Sequence, residues 1–162
     1  DNPKLNCRLK NLKKFSPKRI ILDNKLELNT KSYLFKTANK KNTIVLYNEA
    51  SKSKIMYFKK SKIKLIKSKI NKNKKFDIIM ILKKLYNLGF RNTLIEGGND
   101  LTNYLIKKKL FNQFYLFEGS KELSKSTDFK EFTGLKILKK IYKNNLKLKS
   151  NFGKDRITLY RN

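Results

Sequence analysis

Asn92-Thr93-Leu94-Ile95-Glu96-Gly97-Gly98-Asn99-Asp100-Leu101 carries the clearest structural signal in this chain. Thr93, Leu94 and Ile95 predict a strand over 92–96, the glycine pair breaks it, and Leu101, Tyr104 and Leu105 at helical spacing predict a helix over 100–108. Strand, glycine turn and helix in that order are the layout of a ligand site in an α/β domain. Two glycines let a backbone bend and come close to a ligand, and a helix start aims N–H groups and a partial positive charge at any phosphate placed there. Glu96, at the carboxyl end of the predicted strand, is placed to hydrogen-bond a polar substrate or to assist proton transfer. A plain tight turn and a solvated carboxylate explain the same residues. The stretch is not a GxGxxG fingerprint, and no GxxxxGK[ST] loop occurs in the chain.

The pattern extends outward on both sides. Upstream, 77–88 has the apolar spacing of a helix, stopped by Gly89. Before it, 18–22, 42–47 and 63–66 predict short strands, and Asn48 or Ser51 caps a helix running to about Lys60. Downstream, 114–117, 136–142, 146–149 and 156–160 read as strands, with a polar loop over 119–126. Alternating β and α followed by hairpin-like strands predicts an α/β domain with a mixed sheet and helices on both faces. Neither an internal repeat nor a domain boundary is visible.

The 162 residues suit one domain with a real core. No histidine and a single cysteine, Cys7, exclude a Ser-His-Asp triad, a Cys-His pair, a His or Cys zinc site and an internal disulfide. No apolar run reaches the roughly 20 residues of a membrane span, and a cytoplasmic protein is the simplest reading. The formal charge of +29 raises nucleic acid as a partner. Only five of the 41 basic residues are arginines, however: Arg8, Arg19, Arg91, Arg156 and Arg161. Base readout and bidentate phosphate binding lean on arginine. Lysine is spread from Lys4 to Lys154 among asparagine and isoleucine, so compositional bias is preferred to a nucleic-acid surface. A small basic nucleic-acid-binding protein stays as the alternative.

A second segment, Asp1-Asn2-Pro3-Lys4-Leu5-Asn6-Cys7-Arg8, has turn chemistry, and Pro17-Lys18-Arg19-Ile20-Ile21-Leu22-Asp23 follows it. With Ile95-Glu96-Gly97-Gly98 and Lys109-Leu110-Phe111-Asn112-Gln113, these segments resemble, in order and spacing, the reductase domain of the bifunctional riboflavin-biosynthesis deaminase-reductase. That family carries D-[DN]-P-x-L-x-x-R, then P-x-R-I-[VI]-L-D, then a strand ending in V-E-G-G or I-E-G-G.

The resemblance implies a dihydrofolate-reductase-like three-layer fold, with a mixed, mostly parallel sheet and antiparallel C-terminal strands. It implies NADPH as cofactor and a phosphoribosylaminouracil as substrate, whose ribosyl group is reduced to a ribityl chain. By position, Leu5, Arg8 and Glu96 resemble substrate contacts, Arg8 as a phosphate clamp and Glu96 as the catalytic carboxylate. Asp1, Asn24, Gly97, Gly98, Asn99, Asp100, Leu101, Thr102, Asn103 and Tyr104 resemble cofactor contacts. A homodimer is implied, as is a deaminase domain in the same full-length polypeptide. The deaminase signature itself, H-x-E with P-C-x-x-C, is absent, so neither deamination nor zinc is expected of these residues. The first strand and helix of the family's reductase domain precede the segment at Asp1. The family's A-P-x-L-L-G is replaced by Glu118-Gly119-Ser120-Lys121-Glu122-Leu123.

Overall fold

The computed structural model describes residues 2–120, 132–149 and 153–162. Its chain divides into two compact units, Asp1–Asn92 and Thr93–Asn162. The first is an α/β/α sandwich. Strands β1 (Arg19–Leu22), β2 (Thr43–Tyr47) and β3 (Lys64–Lys67) form a parallel sheet in that order. The central strand β2 has Thr43, Ile44, Val45 and Leu46 all buried, as expected of a parallel strand covered on both faces. Its side chains alternate between two cores. Val45 packs with Leu26, Phe35, Phe58 and Ile63, whereas Ile44 and Leu46 pack with Ile81 and Leu85.

Three helices supply those layers. The short α1 (Tyr33–Lys36) is capped by Ser32 and brings Phe35 to the first core. Helix α2 (Lys52–Lys60), capped by the Ser51 hydroxyl accepting from the Lys54 N–H, brings Phe58. On the other face, α3 (Ile78–Asn87) is capped by Asp77 and contributes Ile81 and Leu85. It stops just before Gly89, whose φ of 91° suits glycine in a chain reversal.

The second unit holds α4 (Asn99–Lys107), β4 (Gln113–Glu118), α5 (Gly134–Ile141), β5 (Asn145–Leu148) and β6 (Arg156–Arg161). Its strands pair antiparallel in the order β4-β6-β5. Ile106, Leu138, Tyr142 and Tyr160 form its core, and the Tyr142 hydroxyl donates to the Ile106 carbonyl at 3.0 Å. The parallel and antiparallel strand sets expected of the dihydrofolate-reductase-like α/β class are thus both present, in two three-stranded sheets.

Two expected strands take another form. Residues 136–142 lie in or at the end of helix α5. Their β-rich composition hid a helical spacing in which Leu135, Leu138 and Tyr142 share one face, with Lys136 and Lys140 on the other side. Residues 92–96 are irregular, with no ladder partner among the described residues. A strand exists only where its N–H and C=O groups find neighbours, so apolar β propensity alone leaves Leu94 at 85% exposure. Of the expected polar loop, 121–126 lie outside the described residues.

Candidate functional site

In the first unit, two clefts meet around the segment 2–8. The larger, about 510 Å3, is lined by Lys4, Asn6, Cys7, Arg8, Lys13, Ser16 and Tyr33. The smaller, about 240 Å3, shares Asn6, Lys13, Ser16 and Tyr33 and adds Leu5, Pro17, Arg19, Thr37 and Asn42. Among the described residues no Asp or Glu lines either cleft, whereas Lys4, Arg8, Lys13 and Arg19 do. Such a lining suits an anion.

Local structure explains why these residues converge. The Ser16 hydroxyl donates to the Lys13 carbonyl at 2.7 Å and accepts from the Cys7 N–H at 3.2 Å, tying the segment to a 3-10 turn at Lys13–Phe15. Leu5 sits at φ 47°, a left-handed conformation that a leucine adopts only when its surroundings impose it. Tyr33, the first residue of α1, forms the opposite wall. Its N–H donates to Asn2 Oδ1 at 2.8 Å, and its hydroxyl accepts from Asn6 Nδ2 at 3.1 Å.

Behind this wall lies Arg19, only 5% exposed. Its guanidinium is held by neutral groups, Thr37 Oγ1 at 2.8 Å, the Thr37 carbonyl at 2.9 Å, Asn42 Oδ1 at 3.2 Å and Thr43 Oγ1 at 2.8 Å. Burial pulls its pKa below the ordinary guanidinium value, and the neighbouring Tyr33 opposes that shift. The arginine of the P-x-R motif therefore joins β1, β2 and the end of α1. Asp23 of the same motif is equally structural, its carboxylate accepting from the N–H groups of Glu27 at 2.8 Å and Leu28 at 2.7 Å. Asn24, just beyond β1, has a buried Oδ1 with no donor among the described residues, as a ligand-contacting amide would.

In the second unit, Gly98 is the N-cap of α4 at φ −69° and ψ 175°, with no side chain to close the helix start. Space is open where a Cβ at Gly98 would sit, whereas one at Gly97 would come within 2.9 Å of the Leu101 side chain. Neither glycine has a positive φ, so no left-handed turn demands them, and it is Gly97 that gives room to the Leu101 side chain. An open, side-chain-free helix start fits the pyrophosphate of a dinucleotide. Asp100 stands in the first turn, where it complements the helix dipole itself.

Farther along α4, Asn103 Nδ2 donates to Asn99 Oδ1 at 2.7 Å and Thr133 Oγ1 at 2.8 Å, so it also serves packing against α5. Thr102 Oγ1 donates to the Gly97 carbonyl at 3.3 Å, while Leu101 and Tyr104 are half-buried. Glu96 is exposed in the irregular segment. Asp1 lies outside the described residues. Arg8 therefore lines the larger cleft and Leu5 the smaller, while Glu96 and Gly97 to Tyr104 belong to the second unit. Asn6, Lys13, Ser16 and Tyr33 line the clefts without having been singled out in the sequence, since hydroxyls and amides in turns carry no pattern of their own. Among the described residues no cluster of Cys, Asp and Glu could hold a metal ion, and no helix is long and apolar enough to cross a membrane.

Residues 1–150 match the family model of the RibD C-terminal domain. The chain belongs to that family. The riboflavin biosynthesis protein RibD of Actinobacillus pleuropneumoniae is 28% identical over 121 residues, covering 75% of this chain. The chain spans only 31% of that relative's length. Two structures of Acinetobacter baumannii RibD, forms 1 and 2, superpose with a TM-score of 0.63 at 18% identity over 99% of this chain and 43% of theirs. A pyrimidine reductase-like protein from Corynebacterium diphtheriae gives a TM-score of 0.62 at 12% identity, over 90% of this chain and 61% of its own. At those identities the likeness is one of fold. Two of the motif segments quoted from the sequence, at Leu5–Arg8 and Pro17–Arg19, border the clefts.

Proposed function

We propose that this chain is the reductase portion of a riboflavin-biosynthesis enzyme, reducing 5-amino-6-(5-phosphoribosylamino)uracil to its ribitylamino product with NADPH. The observation that carries the reading is the cleft in which Arg8 stands beside Lys4 and Lys13, a basic lining suited to the 5-phosphate of that substrate. Leu5 and Glu96 are its further substrate contacts, Glu96 being the carboxylate that holds a polar group of the substrate or passes a proton to it. Asp1, Asn24, Gly97 and the segment Gly98 to Tyr104 hold the cofactor, the open helix start taking its pyrophosphate. NADPH supplies the hydride when bound. The residues of this chain supply alignment and charge complementarity.

A homodimer, a deaminase domain elsewhere in the same polypeptide and a cytoplasmic location go with this reading. The test is Gly98→Val. Among the described residues beyond its chain neighbours, a Cβ at this position meets no atom within 4 Å, so the valine obstructs the space above the helix start rather than the packing. NADPH binding, followed by calorimetry, is lost in the variant. Unchanged binding removes the helix start from the proposal.

A further inference from the structure

Tyr33 lies outside every motif, yet three alternate residues of the segment 2–8 converge on it. Asn2 Oδ1 accepts from its backbone N–H at 2.8 Å, Lys4 Nζ stands 5.8 Å from its ring centroid, and Asn6 Nδ2 donates to its hydroxyl at 3.1 Å. The alternation points these side chains to one side of the segment and fixes the tyrosine from backbone to hydroxyl. Since the phenol oxygen accepts from Asn6, its own proton is left to be donated elsewhere. Among the described residues that O–H has no acceptor. Tyr33 is half-buried and lines both clefts, and no described cleft-lining residue carries a carboxylate to take the proton.

We infer that the Tyr33 hydroxyl is a further binding residue of the phosphate cleft, donating a hydrogen bond to an oxygen of a phosphomonoester held by Arg8. The inference rests on the reading of that cleft as the phosphate site. Asn6 is the positioning residue, since its amide directs the phenol proton away from itself. Asn6 Oδ1, buried without a donor, locks the amide in no competing bond and leaves Nδ2 for the tyrosine. A hydrogen bond to a charged oxygen is worth about 1.5 kcal/mol or more, or about tenfold in affinity.

The test uses the 162-residue chain with inorganic phosphate and ribose 5-phosphate as probes in calorimetry. Tyr33→Phe keeps the ring, the Lys4 contact and the backbone bond to Asn2 and removes only the hydroxyl. It binds both probes about tenfold more weakly. A smaller loss persists when Tyr33→Phe is made on an Asn6→Ala background, where the hydroxyl still donates but is no longer directed, which separates donation to the ligand from a role limited to holding Asn6. Undiminished binding in Tyr33→Phe, or a loss that vanishes on the Asn6→Ala background, overturns the inference. Arg8→Ala distinguishes this from failure of the underlying reading. If Arg8→Ala weakens both probes while Tyr33→Phe does not, only the role of Tyr33 falls. If the parent chain binds neither probe, or Arg8→Ala binds both unchanged, the phosphate cleft and the role of Tyr33 fall together.

Discussion

The two motif segments of this chain, residues 2–8 and 92–98, differ in what supports them. The first is pinned at both ends of its course, by Ser16 at Cys7 and by Tyr33 at Asn2, Lys4 and Asn6, and a buried arginine backs the wall it faces. It even holds Leu5 in a left-handed conformation. The second has apolar residues of strand type but no ladder partner among the described residues, and Leu94 and Ile95 are exposed. Motif chemistry and motif scaffold are therefore separate properties. A side chain is preorganised only where neighbouring elements over-determine its backbone.

The largest test of this contrast is Arg19→Ala, which empties the support behind the first segment and strips Thr37, Asn42 and Thr43 of their shared donor. The variant loses about 3 kcal/mol of stability in urea unfolding, from lost charged hydrogen bonds and a cavity. A loss below about 1 kcal/mol, the scale of a neutral surface hydrogen bond, erases the contrast. A smaller effect belongs to Gly97→Ala, whose Cβ presses on Leu101 and costs about 1 kcal/mol by overpacking. That cost, absent in Gly98→Ala apart from the weaker N-cap, locates the close packing of the second segment at Gly97 alone.

The parts of the fold that were legible in sequence are those where periodicity and caps agreed. Asp77 with the apolar spacing to Leu88 gave α3, and Ser51 gave α2. The buried run at Thr43–Leu46 gave the central strand because burial on both faces leaves no polar alternation to misread. Residues 136–142 misled because isoleucine and tyrosine favour strands while their spacing is helical. Residues 92–96 misled because propensity says nothing of whether a neighbour is present to pair. Arg8 and Leu5, singled out through the motif, each line a cleft, but the cleft positions of Tyr33 and Asn6 were not legible. Those two meet through a contact between residues 27 apart in sequence, the Asn6–Tyr33 hydrogen bond, which no local pattern announces.

Leu5→Gly sharpens the comparison on a smaller scale. Glycine adopts the left-handed conformation freely, so relief of about 1 kcal/mol of strain offsets the lost half-buried side chain, and the urea midpoint stays nearly constant. Phosphate affinity nevertheless falls, because the segment loses the restraint that aims Arg8. The smallest effect lies in the second unit. Burial, and then the Glu118 charge, raise the Tyr160 pKa above 10.0. The unfolded chain releases that proton first, so the stability linked to neutral Tyr160 is full below pH 10 and is lost as pH climbs through the raised value. Tyr160→Phe removes this linkage and moves the alkaline unfolding midpoint upward. An unchanged midpoint places the alkaline transition elsewhere.

The central claim is that this basic chain is built for a reduced nicotinamide cofactor rather than for nucleic acid. Calorimetric titration of NADPH into the 162-residue chain at physiological salt, with NADH and a short oligonucleotide in parallel, tests it most directly. The account predicts saturable NADPH binding that exceeds binding of the oligonucleotide. Tight oligonucleotide binding that falls steeply with salt, together with no uptake of NADPH, contradicts it.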